Sequence, residues 1–135
     1  MTTTTLRPNA DGSPLTWDPT PGGTHYTTID DDPDGPDDAD YIESSVTSEE
    51  DQVGMTDSPG DYGSANTVEL RVRGRSSADR GAVVELQKAD GTVLATVTFV
   101  TGVDTVLSVK SSGAQAATLT KAEVDGLKIV HRVTT

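Results

Sequence analysis

Cysteine is absent from the 135 residues, which excludes a disulfide frame, a thiolate zinc site and a cysteine nucleophile. Aromatic residues are scarce, with one tryptophan and one phenylalanine, and only 33% of the chain is apolar. A thin core and a single domain are therefore expected. No apolar stretch approaches the ~20 residues that cross a bilayer as a helix. The opening residues, Met1 to Pro8, are threonine-rich and carry no apolar segment of the secretory kind, so no export leader is expected. Positive charge is what the first half lacks most. Residues 1–66 hold 15 Asp and Glu against Arg7 alone, whereas residues 67–135 hold seven against nine Lys and Arg. The formal charge of −12 would be repelled by nucleic acid and by anionic membrane, so the expected partners are proteins.

The chain divides along the same line. All seven prolines lie between Pro8 and Pro59, and each disfavours a helix interior or a central strand around it. Residues 1–23 read as an extended arm. Short strands are expected over residues 24–29, 41–46 and 52–55, separated by turn signals such as Pro21-Gly-Gly23 and Ser58-Pro-Gly60. Residues 67–73 alternate, with Val68, Leu70 and Val72 on one face, as in a half-buried antiparallel strand. Asp90-Gly91 between two strand patterns predicts a type I′ hairpin. Another strand is expected over 105–111, then a loop. Thr120 and Glu123 have the spacing of a capping box, which supports one helical turn before a last strand over 127–133. Many short strands separated by frequent turns predict an all-β, antiparallel β-sandwich of jelly-roll-like or immunoglobulin-like type over residues 24–135, with an acidic loop at 30–40 and its clearest strands between 67 and 133.

Chemistry-bearing patterns are few. Asp30, Asp32, Asp34 and Gly35 match the start of a D-x-D-x-D-G calcium loop, and Asp38 falls at the ninth position. The twelfth position is Tyr41 rather than a bidentate glutamate, so only half of the ligand pattern is present and a solvated acidic turn is the simpler account of the run. Arg71, Arg73 and Arg75 recur at period two, as a stripe that could receive carboxylates from the acidic half or from a neighbouring subunit. His25 and His131 are the only histidines; His131 alternates with apolar residues and reads as packed rather than basic. No phosphate loop, nucleophile elbow or metal-spaced histidine pair occurs, so an enzyme is not expected. Trp17, Tyr26, Tyr41 and Tyr62 all lie in the acidic half, where spaced rings suit a segment that docks on a partner.

Trp17, then His25-Tyr-Thr-Thr-Ile-Asp-Asp, then Asp37-Asp-Ala-Asp-Tyr41-Ile-Glu-Ser-Ser, resemble the opening of small virion structural proteins of tailed bacteriophages. The segment from Leu119 to Leu127 resembles the turn before the last strand of those proteins. The resemblance implies a non-enzymatic decoration or minor capsid protein on the outside of a viral shell, made in the host cytoplasm. It implies the major capsid protein and sister copies of the chain as partners, in a dimer or trimer, and no catalytic residues. Leu6, Trp17, Tyr26, Tyr41, Arg71, Arg73 and Arg75 are the expected contacts, with the arm and the acidic loop making them. A tail, baseplate or head–tail connector role is the alternative, and a carbohydrate-binding sandwich is a second one.

Overall fold

The computed structural model describes residues 3–32, 35–60 and 63–135. It is mostly β, and its largest unit is an antiparallel five-stranded sheet in the order β1-β4-β11-β7-β8. These strands are β1 (Pro8–Leu15), β4 (Glu50–Met55), β7 (Gly81–Gln87), β8 (Val93–Phe99) and β11 (Lys128–Thr134). Between them in sequence come β2 (Asp18–Thr20) and β3 (Tyr41–Glu43), which pair with each other.

The register explains why one face of the sheet is apolar. Val53 lies opposite Ile129, Ile129 opposite Leu86, and Leu86 opposite Ala95, and the row above it runs Val84 to Val97. Successive side chains alternate faces, so these rows stack on one side and bury together. The opposite side carries Gln52, Glu85, Arg132 and Thr96. There Arg132 bridges Glu50 and Glu85 at 2.8 Å each, across three adjacent strands.

A bent ribbon covers the apolar face. β5 (Ser64–Val68) pairs with β10 (Gln115–Thr120), and β6 (Arg71–Gly74) pairs with β9 (Ser108–Ser111). The two pairs lie end to end, because Leu70 and Ser112 exchange hydrogen bonds across the junction. Leu70 and Leu119 of the ribbon pack with Val84, Leu86, Val97 and Phe99 of the sheet. The strand expected over 67–73 is thus interrupted at Glu69 and Leu70, and the second half of the loop expected after 111 belongs to β10. Gly113, at φ +67°, provides the local kink in the partner strand.

α1 (Lys121–Asp125) is the expected helical turn, closed at its start by the reciprocal bonds of Thr120 and Glu123. The β7–β8 hairpin forms where expected but with another turn. Only Gly91, at φ +91°, is left-handed there, and Lys88 bonds both Gly91 and Thr92, so Asp90 does not take the positive φ that a type I′ turn requires. Residues 26–28 form a 3-10 turn rather than part of a strand.

The greatest departure from expectation is the arm. β1 joins the sheet as an edge strand beside β4, with register shifts on both sides of its Ala10–Asp11 pairing. Pro8 and Pro14 are tolerated there because an edge strand has a side that needs no donors. Residues 8–20 are therefore part of the folded body rather than a free extension.

Candidate interaction surface

Asp51, the second residue of β4, is fully buried and gathers the N-terminal segment around itself. Its carboxylate accepts the Trp17 backbone N–H at 3.1 Å and lies 2.7 Å from His25 Nδ1. Its backbone oxygen lies 3.2 Å from His131 Nδ1, on the neighbouring strand. A carbonyl can only accept, so Nδ1 of His131 carries the proton. Burial pushes the His131 pKa down, which keeps the ring neutral in the fold despite the nearby Asp51. Trp17 closes the cluster: its ring sits 5.7 Å from that of His131, and its Nε1–H donates to the Glu49 carbonyl.

An aspartate aligning a histidine is one half of a nucleophile-activating arrangement. The other half is missing here, because among the described residues the His25 ring bonds only Asp51. The cluster acts as a clamp that fixes residues 16–29 to the sheet. Asp51 was not among the residues expected to matter, since the strand expected there begins at Gln52. The available signal was its alternation with Val53, which puts a carboxylate on the core face and demands partners there.

The expected contact residues separate into two groups. Trp17 is buried, and Leu6 and Tyr26 are half-buried against the core, so these three hold the protein's own fold together. This corrects the expectation that Trp17 and Leu6 are anchors on a free arm; the clamp at Asp51 and the pairing of β1 with β4 consume them. Tyr41 remains exposed on β3. Tyr62 lies outside the described residues. Tyr41 is the only exposed aromatic residue among the described ones, so they hold no flat aromatic platform for a sugar ring.

The arginine stripe receives carboxylates from the molecule's own acidic half. Arg73 grips Asp38 with a two-pronged contact, both distances 2.7 Å, which lowers the Asp38 pKa through direct hydrogen bonding. Arg7 reaches Asp32 at 3.2 Å. Arg71 is exposed on β6, and Arg75, just beyond it, is exposed as well. Two of the expected calcium ligands are engaged by the same contacts. Asp38 faces Arg73 and Asp32 faces Arg7, while Asp34 lies outside the described residues. Among the described residues no three acidic or imidazole groups converge to hold a metal.

A second polar cluster joins residues 56–60 to α1. Lys121 Nζ lies 3.1 Å from Ser58 Oγ and 2.6 Å from Asp125, and Asp125 also accepts from both the Ser58 backbone N–H and hydroxyl. A serine beside a lysine can be a nucleophile and base only when the lysine is neutral. Here both groups are bonded to the Asp125 carboxylate instead, and their hydrogen bonds hold the Asp125 pKa at about 2. The cluster is a tether.

What the described residues present outward is a fixed acidic face and an apolar rim. The acidic face is built by residues 30–32 and 35–40, with Asp31 and Asp37 exposed and Tyr41 next in the chain. The rim follows β8, where Val100, Val103, Val106 and Leu107 are exposed. An open cleft of about 330 Å³ lies between β1, β4 and the turn after α1. No family model, curated protein or solved structure matches this chain.

Proposed function

We propose that the chain is a non-enzymatic virion structural protein, a capsid decoration or minor capsid protein with a jelly-roll-like sandwich, that binds the outside of a viral shell. The observation that carries this reading is the folded acidic face. A chain of −12 charge holds its carboxylate-rich segment against the folded body through Arg73–Asp38 and Arg7–Asp32, and the residues just before it through the Asp51 clamp, instead of releasing them as a solvated tail. A charged segment ordered in advance loses less entropy on docking, which suits repeated low-area contacts multiplied over a symmetric shell. Its complement is a basic patch on the major capsid protein, with sister copies of the chain seated at equivalent places. Tyr41 is the ring in position to enter that contact. The arm is not needed for this mode of binding, and neither is a metal or other cofactor.

The test is the location of the protein in gradient-purified particles from producing cells, probed with labelled antibody. Label over the shell surface is the expected result. Label confined to tails or to the head–tail junction transfers the protein to the tail, baseplate or connector alternative. Particles that lack the chain altogether overturn the virion reading. Where it is on shells, Asp31→Lys with Asp37→Lys should release it, since both carboxylates are exposed.

A further inference from the structure

The two edges of the five-stranded sheet are built differently. Edge strands are normally blunted by proline, charge or bulges, because unpaired backbone groups invite another strand. β1 follows that rule, with Pro8, Pro14, Asp11 and two register shifts. β8 does not. It holds no proline and no charge, and from Gly91 to Val103 the sequence has no ionisable side chain at all.

Which β8 groups face the open edge follows from the ladder. Val133 exchanges backbone bonds with Ser48 and Glu49, so its N–H and C=O point away from β7. Alternation then points Arg132 toward Val83, leaves Ala82, Val84 and Leu86 to bond β8, and occupies Phe99, Val97 and Ala95 with them. Thr96 and Thr98 therefore present their backbone groups outward. The Thr98 carbonyl takes Lys110 Nζ at 2.8 Å, in agreement with that direction. The Thr96 N–H and C=O and the Thr98 N–H have no partner among the described residues.

Apolar side chains gather on the same strand and the loop that leaves it. Seven large hydrophobics are exposed among the described residues, and five of them are Val93, Val100, Val103, Val106 and Leu107. The loop is rigid rather than loose. Asp104 accepts from the Val100 N–H and from Lys110, its carbonyl takes the Ser76 N–H, and Ser76 Oγ donates to the Val100 carbonyl. Asp104 is its one charged side chain, and Lys110 neutralises it at 2.6 Å.

We propose that β8 is a self-association edge, and that its occupant is β8 of a second copy, paired antiparallel about a two-fold axis to give a continuous ten-stranded sheet. The argument for a second copy is one of charge. Copies of a −12 chain repel each other, and the approach that costs least brings uncharged surface to uncharged surface. An edge without net charge also favours an uncharged strand, and β8 is the longest uncharged strand among the described residues. Antiparallel pairing of identical strands is self-complementary. It lays the Val100–Leu107 loop of each copy beside the other's Val93, so that the exposed apolar residues cover one another. Lys110 gives up the Thr98 carbonyl to the partner strand and keeps Asp104. Pairing in this way needs no shell, so it holds independently of the virion reading.

The experiment is sedimentation of the full chain from micromolar to millimolar concentration, at low and high salt, with amide exchange followed alongside. A dimer that strengthens with salt is expected, together with slowed exchange at the Thr96 and Thr98 amides as concentration rises. Thr96→Pro removes an outward N–H that β7 does not use, so it should abolish the dimer while leaving the monomer's circular dichroism and Trp17 emission unchanged. If that variant fails to fold, the concentration dependence of the two amides in the unaltered chain decides alone. A monomer throughout at high salt, or a dimer whose Thr96 and Thr98 amides exchange as in the monomer, overturns the proposal.

Discussion

Asp51 has a larger energetic role than any residue the composition would have singled out. Its removal strands the Trp17 N–H and the His25 ring in a buried place, at about 1–3 kcal/mol for each group left unsatisfied. Asp51→Ala is expected to lower the urea midpoint more than His25→Ala, because His25 sits at the rim of the cluster and Asp51 at its centre. Trp17 is the only tryptophan, so its emission reports this region without added probes. A second prediction concerns acid. The Asp125 pKa falls from 3.8 to about 2 on folding, so the carboxylate stabilises the fold fully above pH 3.8, and that contribution fades as pH drops toward 2. Asp125→Asn should flatten the fall of melting temperature across that window, measured by thermal scans at stepped pH. An unaltered slope would remove Asp125 from the account.

Elements whose side-chain pattern is local were legible in the sequence; elements defined by distant partners were not. Thr120 and Glu123 are three residues apart and cap the same turn, so α1 was readable from spacing alone. Thr120→Ala should lower stability by about 1 kcal/mol, read from chemical unfolding. The alternation of Val93 to Phe99 likewise announced β8. By contrast, residues 8–15 read as an arm because prolines and Asp11 argue against a strand, and only the presence of β4 alongside makes an edge position available. The break between β5 and β6 was invisible because Val68, Leu70 and Val72 keep one alternation through it; the strand changes partner segments without changing faces. The clamp was hidden for the same reason, since Asp51, His25, His131 and Trp17 are spread over more than a hundred residues. Gly81 shows how tightly one such element is fitted. A Cβ there would stand 2.6 Å from the Phe99 carbonyl and 2.8 Å from two threonine hydroxyls. Gly81→Ala should cost about 1–3 kcal/mol through overpacking, measured by the shift of the urea midpoint.

At the scale of the molecule, charge and fold work against each other. The surplus of negative charge belongs to residues 1–66, yet β1 and β4 of that half are built into the sheet, so folding concentrates like charges. Screening relieves that repulsion within a Debye length of about 10 Å at 0.1 M salt. Added sodium chloride is therefore expected to raise the melting temperature, even though it weakens individual pairs such as Arg7–Asp32. A fall with salt would mean that the ion pairs outweigh the net repulsion.

The order of strands in the sheet has a consequence for synthesis. β1 and β4 come early and β7 and β8 later, and the two groups meet only through β11, which lies between β4 and β7. A nascent chain can form the β7–β8 hairpin as soon as residue 99 emerges, but its acidic first half has no sheet to join until residues 128–134 are free of the ribosome. Sheet closure is thereby deferred until nearly all of these residues have been made, and until that moment the hairpin has two open edges, that of β7 as well as that of the uncharged β8.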